Sequence, residues 1–406
     1  MIAMVGRSPV TSPESTLLGF LLMAIALVLP GPAWTLEEPS GSIYDDPIKK
    51  DILLGIDLLY GTEFDKAEAI FTRVVSERPE NAAGYFYLAM VSWSRLASGF
   101  WSSDVVAEYA RRIDRTIEVA RARIQNGKPD SYTYFYLGGA LGFKGRFELM
   151  QHHWLTSFNL AYQAVEALEK CHEINPNNRD VLLGIGIFDY YTARLSGVLK
   201  FLTYLFLHKG DKEEGLRKLH AAAEQAVYSC IEAKSMLIHI YLFLEEDFQK
   251  ALPFTRELAA RYQRNPRHKF FEGIVYIRLR QDSKYKAIVD FLRATSLSMP
   301  SQTQQAIWRR QALYLEACYH LFRDQYPEAR SKSDAILSQA DPVTDPAMIA
   351  WPLLKKGMSY DLEGNREKAV EFYKGILAME NGAGAQFLAE KYLDEPVQKN
   401  DPFLGY

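Results

Sequence analysis

Small and large residues recur along this chain at fixed separations, and that recurrence constrains the fold more than any other feature. Gly357, Tyr360, Ala369 and Tyr373 are spaced by 3, 9 and 4 residues. Near the other end, Leu54-Gly55, Leu58, Ala67, Phe71 and Pro79 repeat the scheme, with 12 residues from glycine to alanine in both sets. Two small residues 12 apart suit a pair of helices that cross closely. The large residues between them fill the space alongside, and a proline stops the second helix. Such a hairpin of about 34 residues cannot bury its apolar face alone, so units of this kind must stack. The expected fold class is all-α, a solenoid of helical hairpins.

Further units fit more loosely. Tyr85, Leu88 and Ala89 open one, with a second helix from about Asp104 to Gln125. Tyr134, Leu137 and Gly138 open another, completed by Ala164, Leu168 and Pro176. Leu183-Gly184 and Ile187 pair with Gly215 and Leu219; Ser235, Ile238 and Leu242 pair with Ala251. Gly273 and Tyr276 start a sixth unit, and Leu313, Ala317 and Ala329 mark a seventh. Pro79, Pro129, Pro176, Pro266, Pro300 and Pro342 fall near unit ends, giving about eight hairpins over residues 47–390. Tyr132 to Tyr136 has strand propensity but runs into the Gly138 pattern and reads as helix.

The middle units are longer. Gly138 to Ala164 spans 26 residues and Gly184 to Gly215 spans 31, against 12 in the regular units. The expectation is about 14 and 19 extra residues inserted between paired helices. The first insert carries His152, His153, Trp154 and Phe158; the second, residues 195–207, is apolar on nearly every face. It is too short to span a bilayer, which takes about 20 residues, and reads as a buried helix. Pro253 should kink its helix or delay its start.

These patterns resemble the tetratricopeptide superfamily across residues 48–382. A narrower resemblance covers about residues 50–270. It is to the mitochondrial outer-membrane and inclusion-body-clearance family that includes tetratricopeptide repeat protein thirty-nine. It is carried by Gly55 through Pro79 with the turn Phe64-Asp65-Lys66-Ala67-Glu68, by Leu183-Gly184-Ile185-Gly186-Ile187-Phe188, and by Val198-Leu199-Lys200-Phe201 leading into Lys209 through Leu216. The resemblance implies a helical-repeat scaffold that supplies no catalytic residues. It also implies which first-helix positions line a concave groove: Ile52, Ile56 and Leu59; Phe86, Met90 and Trp93; Val181, Ile185 and Phe188; Met236, Ile240 and Phe243; Phe270, Ile274 and Ile277. This groove is apolar, where one for acidic peptide tails would show Lys, Arg and Asn. Two readings follow. The inserts fold into the groove and make it core, or it stays open to an apolar helix, peptide or acyl chain.

Chemistry is thinly signalled. Gly184-x-Gly186 has Asp189 where a third glycine would stand, and it lies in a helix pattern, so helix packing explains it. Cys171-His172-Glu173 are consecutive and point in different directions on a helix. His152-His153 would need distant partners to hold a metal. No GxSxG, HExxH or CxxC occurs. The expectation is no enzyme, no cofactor and no metal. Cys171, Cys230 and Cys318 lie in helix patterns; buried thiols are the first reading, one bridge between two of them the second. Arg111-Arg112, Arg115, Arg121 and Arg123 are interleaved with Glu108, Asp114 and Glu118, as on a solvated helix face.

The first 33 residues read as a secretory signal. Arg7 precedes a run from Leu17 to Leu29 that is apolar apart from Gly19, and Gly31 and Ala33 fit a cut before Trp34. Residues 34–46 read as a linker and 391–406 as a polar tail containing Phe403 and Tyr406. A net charge of −3 supplies no bulk basic field for nucleic acid. The chain has 48% hydrophobic and 24% charged residues, which excludes both a mainly disordered chain and a polytopic membrane protein. Aromatics are abundant, at 13%, and cluster in the first helices of successive units. The expected function is an exported, non-enzymatic scaffold for a protein or peptide partner, periplasmic or secreted, without a transmembrane span once the signal is cut. The alternative is a carrier for a lipid or another apolar ligand.

Overall fold

A computed structural model describes residues 48–98, 102–151, 153–194, 210–341 and 345–406. The signal, the linker and the apolar run 195–207 lie outside the described residues. Within them stand seventeen helices and no strand. They pair into eight hairpins: α1 (Lys49–Tyr60) with α2 (Phe64–Glu77), α3 (Ala82–Ala97) with α4 (Ser103–Gln125), α5 (Ser131–Met150) with α6 (Trp154–Ile174), and α7 (Val181–Ala193) with α8 (Lys212–Gln225). Then come α9 (Cys230–Phe243) with α10 (Phe248–Arg261), α11 (Pro266–Arg278) with α12 (Asp282–Ser298), α13 (Gln302–Phe322) with α14 (Tyr326–Leu337), and α15 (Ala347–Leu362) with α16 (Arg366–Leu377). A last helix, α17 (Ala385–Asp394), covers the end of the stack.

Local chemistry sets these boundaries. Asn81, Ser102, Asp130, Asp211, Asp247, Asn265, Ser301 and Asn365 each accept a backbone N–H in the first turn of the helix they precede. Each thereby satisfies a donor that has no partner inside the helix. Turns within hairpins recur too: Thr62, Glu246, Arg280, Asp324 and Gly364 all have positive φ two residues before the second helix begins. Inside the hairpins, a Cβ on Gly55 would collide with Phe71 and one on Gly357 with Tyr373, so helix approach depends on these small residues. This is the close helix crossing that the repeated spacing of small and large residues predicts.

Two expectations change. The extra residues of the third unit form no separate insert: they lengthen its helices, which meet across a short link around His153. Pro253 delays nothing, because α10 starts at Phe248 and carries the proline inside. The expected Tyr132–Tyr136 helix is present as the first turn and a half of α5.

First helices pack on the next first helix from α1 to α7 and again from α11 to α15, forming an inner layer; second helices form the outer one. Aromatic rings interlock between units: Phe71 of α2 stacks on Tyr87 of α3 at 5.1 Å, and Phe86 and Tyr87 meet Tyr136 of α5 at 5.5 and 6.1 Å. One buried core runs from Ile48 to Ile336, and a second from Leu321 to Leu404. The array then curls until its first unit meets its fifth. Tyr60 donates to Glu232 at 2.6 Å, Tyr262 and Arg261 reach Asp57 at 2.9 and 2.8 Å, and Asn265 donates to the Tyr60 carbonyl at 2.9 Å.

Candidate functional site

The inner layer holds the residues expected to line a groove. Ile52, Ile56, Leu59, Phe86, Met90, Val181, Phe188, Ile240, Phe270, Ile274 and Ile277 are buried. Trp93, Ile185, Met236 and Phe243 keep part of their surface accessible.

Asp180, wholly buried between α6 and α7, pins three units. Its carboxylate accepts the backbone N–H groups of Tyr228 and Ser229, both at 2.7 Å, and the hydroxyl of Tyr132 at 3.1 Å. Desolvation pushes its pKa up, and these donors act against that shift.

The segment after α17 turns back onto the inner face. Asp401 through Tyr406 form tight turns that bring Phe403 and Tyr406 to α9, α11 and α15. Phe403 stacks on Phe243 at 5.2 Å. The Tyr406 ring meets Phe243 at 4.6 Å, Trp351 at 5.1 Å and Phe270 at 5.9 Å. Side-chain donors hold the backbone of the segment. Arg278 donates to the carbonyls of Asp401 at 3.0 Å and Pro402 at 3.5 Å, Tyr314 donates to that of Tyr406 at 3.2 Å, and Lys355 donates to that of Phe403. Asp401 pairs with Lys391 at 3.3 Å, and Leu404 is buried in the second core.

Lys355 is fully buried. Burial pushes its ammonium down to about 8, and its oxygen partner is the Phe403 carbonyl. Burial also pushes His239 and His268 down to about 3. The Nδ1–H of His239 donates to the Ser235 carbonyl, 2.7 Å away, while Nε2 of His268 has no partner.

The remaining sequence motifs are structural. A Cβ on Gly184 would meet Leu168 and one on Gly186 the Gly215 carbonyl, so both glycines serve helix contact. His172 lines a shallow cleft of about 450 Å³ with Arg179, Leu182 and Lys218, whose ammonium pairs with Asp189 at 2.5 Å. Cys171 and Cys318 are buried, Cys230 is half-buried, and no disulfide joins them. Burial pushes the Cys318 thiol up to about 12 and raises that of Cys230, so both stay protonated at neutral pH. Arg115 pairs with Glu118 on an exposed face, as expected, but Arg112 is largely covered and ties α4 to Glu68 of α2 and to the Leu88 carbonyl and Ser92 hydroxyl of α3. Among the described residues no three His, Cys, Asp or Glu side chains are grouped to hold a metal ion, and no helix is long and apolar enough to cross a membrane.

Sequence reasoning passed over Lys355, Arg278 and Tyr314. Lys355 and Lys356 are adjacent, and on a helix consecutive side chains diverge by about 100°. One points inward to Phe403, the other outward to Asp334 at 2.5 Å. The available signal was the aromatic pair Phe403 and Tyr406 in an otherwise polar tail, which implied an apolar receptor.

No family model matches the chain, and no curated protein matches it. Among solved structures, yeast Tom70 is similar over 96% of this chain and 71% of its own, with 13% identity and a TM-score of 0.36. The TPR domain of P58(IPK) is similar over 86% of this chain and 99% of its own, with 16% identity and a TM-score of 0.21.

Proposed function

We propose that this chain is an exported, non-enzymatic helical-repeat scaffold that binds a segment of a protein partner on the inner face of α9, α11, α13 and α15. One observation carries the reading: side-chain donors from three helices converge on the backbone carbonyls of residues 401–406. Hydrogen bonds to main-chain carbonyls recognise a polypeptide irrespective of its side chains, and the aromatic slots around Phe403 and Tyr406 add selectivity. The chain's own segment thus displays the chemistry of a ligand. Export is supported by the apolar run Leu17–Leu29 and the small residues Gly31 and Ala33, and it would place the scaffold in a periplasmic or extracellular space.

The test releases the segment within the full chain. In a Phe403→Ala, Tyr406→Ala variant, a labelled peptide of residues 396–406 should bind with micromolar affinity by fluorescence anisotropy, while the unaltered chain should bind it at least about tenfold more weakly. A folded variant that ignores the peptide removes the proposal.

A second reading has its own observation. Trp93, Phe143, Tyr191, Met236 and Phe243 remain partly accessible on the inner layer. Such a surface suits a carrier of an apolar ligand.

A further inference from the structure

The segment on the inner face satisfies its own backbone donors. The N–H of Asp401 donates to the Gln398 carbonyl at 3.0 Å, that of Leu404 to the Asp401 carbonyl at 3.1 Å, and that of Tyr406 to the Phe403 carbonyl at 3.3 Å. The N–H of Phe403 donates to the Asp401 carboxylate at 2.9 Å, and Pro402 has none to offer. The helices supply the complement. Arg278, Lys355 and Tyr314 bring donors to the carbonyls of Asp401, Pro402, Phe403 and Tyr406. An extended strand would turn its own N–H groups toward these donors and leave them unpaired, which is costly in a buried site. A turn fits because its N–H groups are already used.

Each position of the turn meets a different wall. The rings of Phe403 and Tyr406 lie 6.3 Å apart, and both meet Phe243. Leu404, between them in sequence, is buried in the second core. Gly405 has no room for a side chain: a Cβ would stand 3.1 Å from Arg278 Cδ and 3.3 Å from Ile277 Cγ2. Arg278 is not free to step aside. Its side chain is only 7% exposed, pairs with Glu246 at 3.0 Å, and packs over Phe248 and Phe322 at 4.8 and 5.2 Å. Asp401 places its second carboxylate oxygen 3.3 Å from Lys391 Nζ on α17.

We infer that the inner face recognises its partner by one turn of fixed sequence class: a carboxylate residue, any residue, an aromatic, an aliphatic, a glycine and a second aromatic. Asp401, Phe403, Leu404, Gly405 and Tyr406 display that order. The inference rests on the segment-binding reading and adds the partner's sequence class to it. The carboxylate closes the turn and meets Lys391. Aromatics three positions apart reach Phe243 together, and the glycine lets the backbone approach Arg278 and Ile277. Occupancy by a partner replaces the resident turn rather than filling an empty face. Without a turn in place, buried Lys355 would lose the carbonyl that meets its charge.

The experiment uses the full chain carrying Phe403→Ala and Tyr406→Ala, with labelled peptides of residues 396–406 read by fluorescence anisotropy. The unaltered peptide should bind at least about tenfold more tightly than one carrying Gly405→Val, and than one lengthened by a second glycine after Gly405. A peptide carrying Asp401→Lys should bind about threefold more tightly once Lys391→Glu is added to the chain, a gain that a merely structural role of Lys391 would not produce. Equal binding of all the peptides overturns the sequence class and leaves segment binding standing. A folded chain that binds none of them overturns both. Should the double variant not fold, Gly405→Val in the full chain keeps both aromatics and should still loosen the resident turn. It should then take up the unaltered peptide at least about tenfold more tightly than the unaltered chain does. Equal uptake by the two overturns the glycine assignment.

Discussion

His239 and His268 show how single residues tie this fold to pH. Each is held neutral by burial, with a folded pKa near 3 against about 6.5 for the unfolded chain. A depressed folded value means that the stabilisation is fully present above pH 6.5 and is lost as pH falls from there toward 3. Between pH 7 and pH 5 each histidine should cost about 1–2 kcal/mol. Urea unfolding at those two pH values should show the loss, and His268→Phe should remove close to half of it. A variant with the full wild-type pH dependence would show that His268 is not held neutral. Lys355 is the opposite design: a buried cation whose charge is met by a carbonyl from outside its own helix. Nothing in its sequence neighbourhood separates it from Lys356. Polar residues of this kind were illegible because helix phase, not residue type, decides which lysine turns inward.

At the scale of helices and turns, most of the structure could be read directly. Caps such as Asn81 and Asp130 and the small residues Gly55 and Gly357 act on partners a few residues or one hairpin away. Their spacing therefore encodes them. The left-handed turn residues are less visible, since only Gly364 among the five is a glycine. Gly364 has φ near 86° and open space where a Cβ would go, while Gly375 lies inside α16 with equally open space and ordinary helical φ. Gly364→Ala should therefore cost about 1–2 kcal/mol, from backbone strain alone. Gly375→Ala should gain about 0.5–1 kcal/mol, because alanine loses less backbone entropy in a helix. Chemical denaturation of the two variants should give shifts of opposite sign. Helix lengths were misread in the third unit. A 26-residue separation reads equally as an insert or as two long helices, and packing against α4 and α7 goes with the second.

For the whole molecule, curvature is the governing quantity. Each hairpin adds a small rotation to the one before, and over five units this brings Asp57 and Tyr60 to Arg261, Tyr262 and Glu232. Asp57 is half-exposed, so its loss should be mild and local. Asp57→Ala should speed amide hydrogen exchange in α1, α2 and α10 by about two- to tenfold, corresponding to about 0.5–1.4 kcal/mol. Exchange in α15 to α17, which belong to the second core, should not change. Uniform acceleration along the chain would mean that the closure supports the entire array.

The sequence by itself determined the repeating unit: eight hairpins, their glycine and aromatic contacts, their caps, and the apolar character of the inner layer. These depend on neighbours within one or two units, where spacing and size translate directly into contact. The tertiary structure alone decided which inner residues are covered and that residues 401–406 lie on α9, α11 and α15. Those outcomes join positions up to about 200 residues apart. They depend on rotation accumulated over many units, which no single spacing encodes.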